Sequence, residues 1–197
     1  MRLAVFGASG RTGRLVVEQA AARGDDVIAI VRSRPDPPVA GEAHTRVVDL
    51  GDRRDVANAL DATDAALWAI GPIARVTVTE VSDALATAVE AMRDVGVYRI
   101  VATANGTVLT DDDVTGEFVN VAAEHRRNVS TLRHSGLDWT VLAAPFLNDE
   151  APTGAVETVV DGKASRRWLT RADFAHALLD ALDRSAWIGH IVGIANR

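Results

Sequence analysis

Apolar positions change period along this chain. Residues 2–6 read RLAVF, an apolar run of strand length, and residues 12–23 then switch to helical spacing, with Leu15, Val16 and Gln19/Ala20 on one face and Gly24 as the stop. The same switch recurs. Further strands are predicted over 27–31, 45–48, 65–70, 99–103 and 140–143, with helices over 53–60, 76–94 and 119–134. Punctuation falls between them: Pro35, Pro37 and Pro38 make a stiff loop, Gly71-Pro72 breaks the fourth strand, Gly136 ends a helix and Pro145 stops the sixth strand. The tail continues with a strand-like stretch at 155–160, a helix at 170–182 opened by the capping pair Thr170 and Asp173, and a final strand at 188–194. Strand and helix alternating at this period predict an α/β fold, a doubly wound parallel sheet with helices on both faces.

The length of 197 residues suits a single domain, 1–197, with residues from about 145 to 197 expected to border a substrate pocket. A net charge of −6 argues against non-specific nucleic-acid or acidic-membrane partners. The absence of cysteine removes disulfides, thiol catalysis and cysteine-ligated metal. The chain enters its first strand at once and contains no apolar run of the ~18–20 residues a membrane span needs, so a cytoplasmic location is expected. The run Asp111-Asp112-Asp113 reads as a solvated loop or helix start; no metal site is expected.

The chemistry concentrates at the first turn, FGASGRTG at 6–13, where Gly7, Gly10 and Gly13 stand three apart between a strand and a helix. One glycine permits the tight turn, one lets backbone approach a pyrophosphate, and one lets the helix pack on the sheet. The diphosphate then meets free N–H groups of the helix start, around Ser9, Gly10, Arg11 and Thr12. Ligands of such sheets lie beyond the carboxyl ends of the strands, so the residues after each strand are the next candidates. After strand two come Arg32 and Arg34, where an acid would suit a ribose 2′-hydroxyl and an arginine suits a 2′-phosphate; NADP(H) is therefore expected over NAD. After strand three come Asp49 and Leu50, placed to accept from an adenine amine and to cover its ring, or alternatively to cap the next turn. Gly71 and Pro72 follow strand four. Thr103 and Asn105 lie where a nicotinamide ring would rest, and Pro145, Phe146 and Leu147 follow strand six.

The segments FGASGRTG at 6–13, VR at 31–32, EHRRNVSTLRHSGLDWT at 124–140 and PFLNDEAPTGAVETVVDGKASRRWLTRADFAHALL at 145–179 resemble the atypical short-chain dehydrogenase/reductase superfamily. The similarity is to its small NAD(P)H-binding branch, with the NmrA-like proteins, and most of all to the biliverdin reductase B/NADPH flavin reductase type. It covers essentially the whole chain. The resemblance implies a Rossmann-like domain and places Ser9, Gly10, Thr12, Arg32, Arg34, Asp49, Leu50, Gly71, Thr103, His125 and Pro145 on or beside cofactor positions. Two departures bear on substrate: the family's active-site serine falls at Asn105 and its histidine after the strand-six proline falls at Phe146, so biliverdin is not carried over.

A Tyr-x-x-x-Lys dyad is absent; Tyr98 and Lys163 are the only residues of their types and stand far apart. His125 is the remaining titratable candidate, as proton donor or as a hydrogen-bond partner of cofactor ribose; Asn105, His125 and Thr103 form the candidate catalytic set. His44, His134, His176 and His190 lack metal-ligand spacing, no G-x-S-x-G is present, and of the four tryptophans Trp168 alone is expected near the pocket. The expected activity is an NADPH-dependent reductase passing hydride to a small planar acceptor such as a flavin. The alternatives are an NmrA-like NADP(H) redox sensor without turnover, and a carbonyl reductase or isomerase of a biosynthetic pathway. A monomer or small homo-oligomer acting on a small molecule is expected.

Overall fold

The computed structural model describes residues 1–35, 38, 44–72, 79–110 and 114–197. Its elements follow the chain as β1 (Arg2–Phe6), α1 (Arg11–Ala22), β2 (Asp26–Val31), β3 (His44–Val47), α2 (Arg53–Ala59), β4 (Ala65–Trp68), α3 (Glu80–Val95), β5 (Arg99–Asn105), α4 (Val119–Arg133), β6 (Asp138–Ala144), β7 (Phe146–Asn148), β8 (Val156–Val160), β9 (Trp168–Thr170), α5 (Arg171–Leu182) and β10 (His190–Asn196). Eight strands form one sheet in the order β3-β2-β1-β4-β5-β6-β10-β8. Strand order reverses beside β1, which pairs in parallel with β2 on one side and β4 on the other. This is the Rossmann-like arrangement, and the crevice at that reversal is where such sheets take ligands.

Alternation along the strands sorts the core into two layers. Leu3 and Val5 of β1 pack with α1 and α5, joined by Val16, Ala20, Phe174 and Leu178. Ala4 and Phe6 point the other way, into a layer built with Val56 of α2, Leu85 and Met92 of α3, and Leu132 of α4. Phe6 stacks at a tilt on Trp68 of β4, ring centres 5.2 Å apart. Buried on both faces, the central strands read as continuous apolar runs.

Two features differ from the sequence expectation. The sheet is not wholly parallel, because β8 returns antiparallel to β10 at the edge. A separate two-stranded sheet pairs β7 with β9, Phe146 opposite Trp168, where no strands were expected; three-residue strands are too short to carry a period. The helix expected at 76–94 is described from Glu80; residues 76–78 lie outside the described residues, as do Pro37 and the acidic run 111–113. Capping was legible: the Thr170 hydroxyl accepts from the Asp173 N–H, and α3 ends at Gly96 with φ +75°.

Candidate functional site

The turn from β1 into α1 is held by its glycines. Gly7 has φ +75°, a left-handed conformation, and a Cβ there would meet Ile70 Cγ1 at 2.9 Å and the Ala69 carbonyl oxygen at 3.0 Å. A Cβ on Gly13 would sit 2.1 Å from the Gly7 carbonyl oxygen, so only glycine lets the first turn of α1 close on the loop. Gly10 is the N-cap. It has no side chain to occupy the helix end, and no acid stands in the first turn of α1. The first N–H groups of α1 are thus left for a ligand oxygen, and the helix start favours negative charge. These features fit the diphosphate of a nicotinamide dinucleotide.

A cavity of about 960 Å³ opens in front of this turn. Gly10, Arg11 and Thr12 form one end. Ala69, Gly71 and Pro72 beyond β4, Asn105 and Gly106 beyond β5, and Ala143 to Leu147 at the end of β6 line its middle. Leu109, Val114, Phe118 and Val121 add apolar lining, and residues 163–167 and Arg171 add a basic stretch. Its size and mixed lining suit a small-molecule site. A smaller groove of about 320 Å³ between α3 and α4 is lined by helix side chains alone, among them Ser82, Arg127 and His134, and holds none of the strand-end residues.

Of the sequence candidates, the cavity brings together Gly10, Arg11, Thr12, Gly71, Pro72, Asn105, Pro145, Phe146 and Leu147. A Cβ on Gly71 would meet no atom within 4 Å, so the space beside it is open. Gly7, Ser9 and Gly13 shape the turn behind the cavity. Arg32 and Arg34 are exposed just beyond β2. Asp49 shapes a local turn: its Oδ1 accepts from the Gly51 N–H at 2.9 Å and its own N–H donates to Asp55 at 2.8 Å, while Leu50 packs against the core edge. Thr103 is half-buried on β5, paired with Leu142.

Asn105 and Phe146 both line the cavity. The Asn105 Oδ1 accepts from the Thr107 N–H at 3.2 Å and from the Thr107 hydroxyl. Because a backbone N–H can only donate, this fixes the amide orientation and leaves Nδ2 as the donor end. Phe146 is half exposed and packs at a tilt on Trp168, ring centres 5.5 Å apart, so the two rings continue the apolar wall outwards. Trp68, Trp139 and Trp187 are buried.

His125 is on the second turn of α4 and 6 % exposed, and its Nδ1 is buried with no hydrogen-bond partner among the described residues. Burial pushes its pKa down to about 4, opposed only in part by neighbouring Glu124, so the ring is neutral at pH 7. Glu124 itself is structural. Its carboxylate accepts from the N–H groups of Val81 and Ser82 at the start of α3, from the Ser82 hydroxyl and from Arg127. Among the described residues, no cluster of three metal-ligating side chains occurs and no helix is long and apolar enough to cross a membrane.

Lys163, Arg166, Arg167 and Arg171 were not singled out from sequence, yet all line the cavity. The signal available was the basic density of GKASRRWLTR at 162–171, which by itself reads as a solvated approach to α5.

The chain matches the family model for NAD(P)H-binding proteins over residues 7–185. Solved structures share the fold. A candidate NAD-dependent epimerase/dehydratase from Bacillus halodurans superposes with a TM-score of 0.87 at 21% identity, over 100% of this chain and 94% of that one. A candidate NADH-flavin reductase from Streptococcus pneumoniae superposes with a TM-score of 0.82 at 22% identity, over 100% of both chains. A short-chain dehydrogenase/reductase from Veillonella parvula in complex with NADP gives 0.79 at 13% identity, over 99% of this chain and 94% of that one.

Proposed function

The chain belongs to the NAD(P)H-binding family, and from that premise we propose that this oxidoreductase is an NADPH-dependent reductase that passes hydride to a small planar acceptor such as a flavin. The observation that carries the reading is the continuity of one cavity from the glycine turn at Gly10–Thr12 to Asn105 and Phe146 at the ends of β5 and β6. A dinucleotide with its diphosphate at α1 has its nicotinamide end beside those two residues, with room left for a second flat ring.

When bound, the reduced nicotinamide would supply a hydride, and the one proton that completes reduction of the acceptor would come from solvent at the cavity mouth. The protein's part is position and exclusion of water. Gly10, Arg11 and Thr12 hold the diphosphate. Arg32 and Arg34 recognise the 2′-phosphate, where a guanidinium makes charge-assisted bonds and an acid would repel. Asn105 donates from Nδ2 to an oxygen of the acceptor, and Phe146 supplies the face on which a flat ring lies. Thr103 and His125 support the nicotinamide end from behind the wall.

This division of labour agrees with the positions of the two residues a carbonyl reductase of the Tyr/Lys kind would need. Tyr98 is exposed at the start of β5, the opposite end of the strand from Asn105, whereas Lys163 lines the cavity, so the two are not brought together as a dyad. A neutral His125 is likewise a poor proton source at pH 7. Steady-state oxidation of NADPH with flavins, quinones and simple carbonyls tests the reading. Flavin or quinone turnover is expected. Tight NADPH binding with no oxidation by any of the three would move the function to an NADP(H) sensor.

A further inference from the structure

We propose that the cavity wall formed by residues 163–167 and Arg171 is a subsite for an anionic group, a phosphate or a carboxylate, carried by the acceptor away from its reacting ring. The identity of the acceptor rests on the reductase reading; the anion subsite rests on charge and geometry.

Charge is segregated in this molecule. The chain carries a net charge of −6, yet Arg11, Lys163, Arg166, Arg167 and Arg171 all line one cavity. Among the described residues, no carboxylate lines it. The cofactor's diphosphate accounts for Arg11, at the start of α1. It does not account for the cluster that follows β8, on a different segment of chain.

That segment is built, not loose. Gly193 of β10 must be glycine, because a Cβ there would lie 2.1 Å from the Gly162 carbonyl oxygen. Asp161, at φ +52°, donates its N–H to the Ile191 carbonyl at 2.7 Å, accepts from the Ile191 N–H at 3.1 Å and meets His190 Nδ1 at 2.6 Å. Ser165 donates both its N–H and its hydroxyl to Glu157, at 2.7 and 2.6 Å. The Arg167 carbonyl accepts from the Phe146 N–H at 3.2 Å, which ties the basic segment to the ring proposed to hold the acceptor. The backbone is fixed at both ends, so the segment itself need not be ordered on binding, and the exposed side chains of Arg166 and Arg167 are what a ligand would immobilise.

Among the described residues the guanidinium groups are at most weakly compensated: Arg166 acts on Glu157 only at longer range, and Arg11 and Arg171 share Asp149. Among the described residues, neither Arg166 nor Arg167 has a carboxylate oxygen within 4 Å. Arg171 is 4 % exposed and, among the described residues, is paired with Asp149 alone, at 3.1 Å, whose own side chain is mostly exposed. Asp149 is shared, since Arg11 approaches it to 3.8 Å from the other side. A buried cation with a half-solvated, shared counter-ion gains from a second anion.

FMN and riboflavin test this directly, because they share the isoalloxazine ring and differ by one phosphate. Binding to the NADP⁺-loaded protein is read by quenching of flavin fluorescence, with a quinone and its carboxylate-bearing analogue as a second pair. FMN is expected to bind at least about tenfold more tightly than riboflavin, a gap that shrinks with salt. It should fall to about twofold or less in the double variant R166Q/R167Q, whose fold is checked by circular dichroism. A matching gap in the quinone pair assigns the site to anions in general; a gap for FMN alone assigns it to phosphate. Equal affinities within both pairs, failure of all four compounds to bind, or a gap that survives the double substitution overturns the subsite. Turnover separates the two proposals. A binding gap without NADPH oxidation removes the reductase reading and leaves the subsite, whereas oxidation with equal kcat/KM for FMN and riboflavin and no binding gap does the reverse.

Discussion

Asp173 should be among the most expensive single residues to replace outside the sheet. Its carboxylate is 5 % exposed and accepts from the N–H groups of Thr153 and Gly154 at 2.9 and 3.0 Å, from the hydroxyls of Thr153 and Thr170 at 3.0 and 2.8 Å, and from Asn196 Nδ2 at 2.6 Å. One side chain thereby ties the strap between β7 and β8 to the start of α5 and the end of β10. Burial alone would raise its pKa, but these donors overcome it and bring it down from 3.8 to about 2. A shift of that size corresponds to roughly 2–2.5 kcal/mol of stability at neutral pH. The sign follows from a depressed folded-state value: the contribution is fully present above the unfolded pKa near 4 and is lost as pH falls through about 2. D173N keeps the shape and removes the charge, so it should lose about 2 kcal/mol at pH 7, or roughly 4–8 °C in Tm for a chain of this size. Urea unfolding of both proteins between pH 7 and pH 2.5 measures the gap. It should be constant from pH 7 to about 5 and narrow steadily below 4. A gap that stays constant to pH 2.5, or no gap at pH 7, would refute the assignment of the low pKa to this hydrogen-bond set.

Three further outcomes are expected. Gly13→Ala forces a methyl to within 2.1 Å of the Gly7 carbonyl oxygen, so it should cost about 1–3 kcal/mol in a urea melt and weaken NADPH more than tenfold by fluorescence titration; unchanged affinity would mean that the turn does not carry the diphosphate. Arg32→Ala should weaken NADPH by about ten- to 150-fold, the worth of a charge-assisted bond, with little change for NADH; equal loss for both cofactors would remove its role at the 2′-phosphate. His125→Ala should lower kcat less than about tenfold, below the ~10²–10⁴ of general acid–base catalysis. With a folded-state pKa of about 4, the wild-type ring should add no titration to kcat between pH 6 and 8, and its depressed value should make the wild type, but not the alanine variant, lose stability as pH falls from about 6.5 towards 4.

The parts of this molecule that were legible in its sequence are those where sterics leave one residue type. Gly7 and Gly13 can be read from spacing because the left-handed turn and the 2.1 Å approach admit nothing larger. Gly10 can be read because it keeps the same spacing, at the N-cap of α1 where no side chain fills the helix end. The buried strands could be read because each touches helices on both faces, and Thr170 because a hydroxyl before an acid three residues on closes a helix start. Direction and company were not legible. The run at β8 has the composition of any strand, and only its pairing with β10 makes it antiparallel. Phe146 and Trp168 lie far apart in sequence and meet because β7 and β9 pair in register. The basic wall is hidden for the same reason. Arg11 and Arg171 come from the first and last helices, which share one core layer, and both approach Asp149 on the strap after β7. The glycine turn is therefore local, written within a few residues, whereas the far wall of the cavity is assembled from segments that the sheet brings together, and a single sequence discloses the first far better than the second.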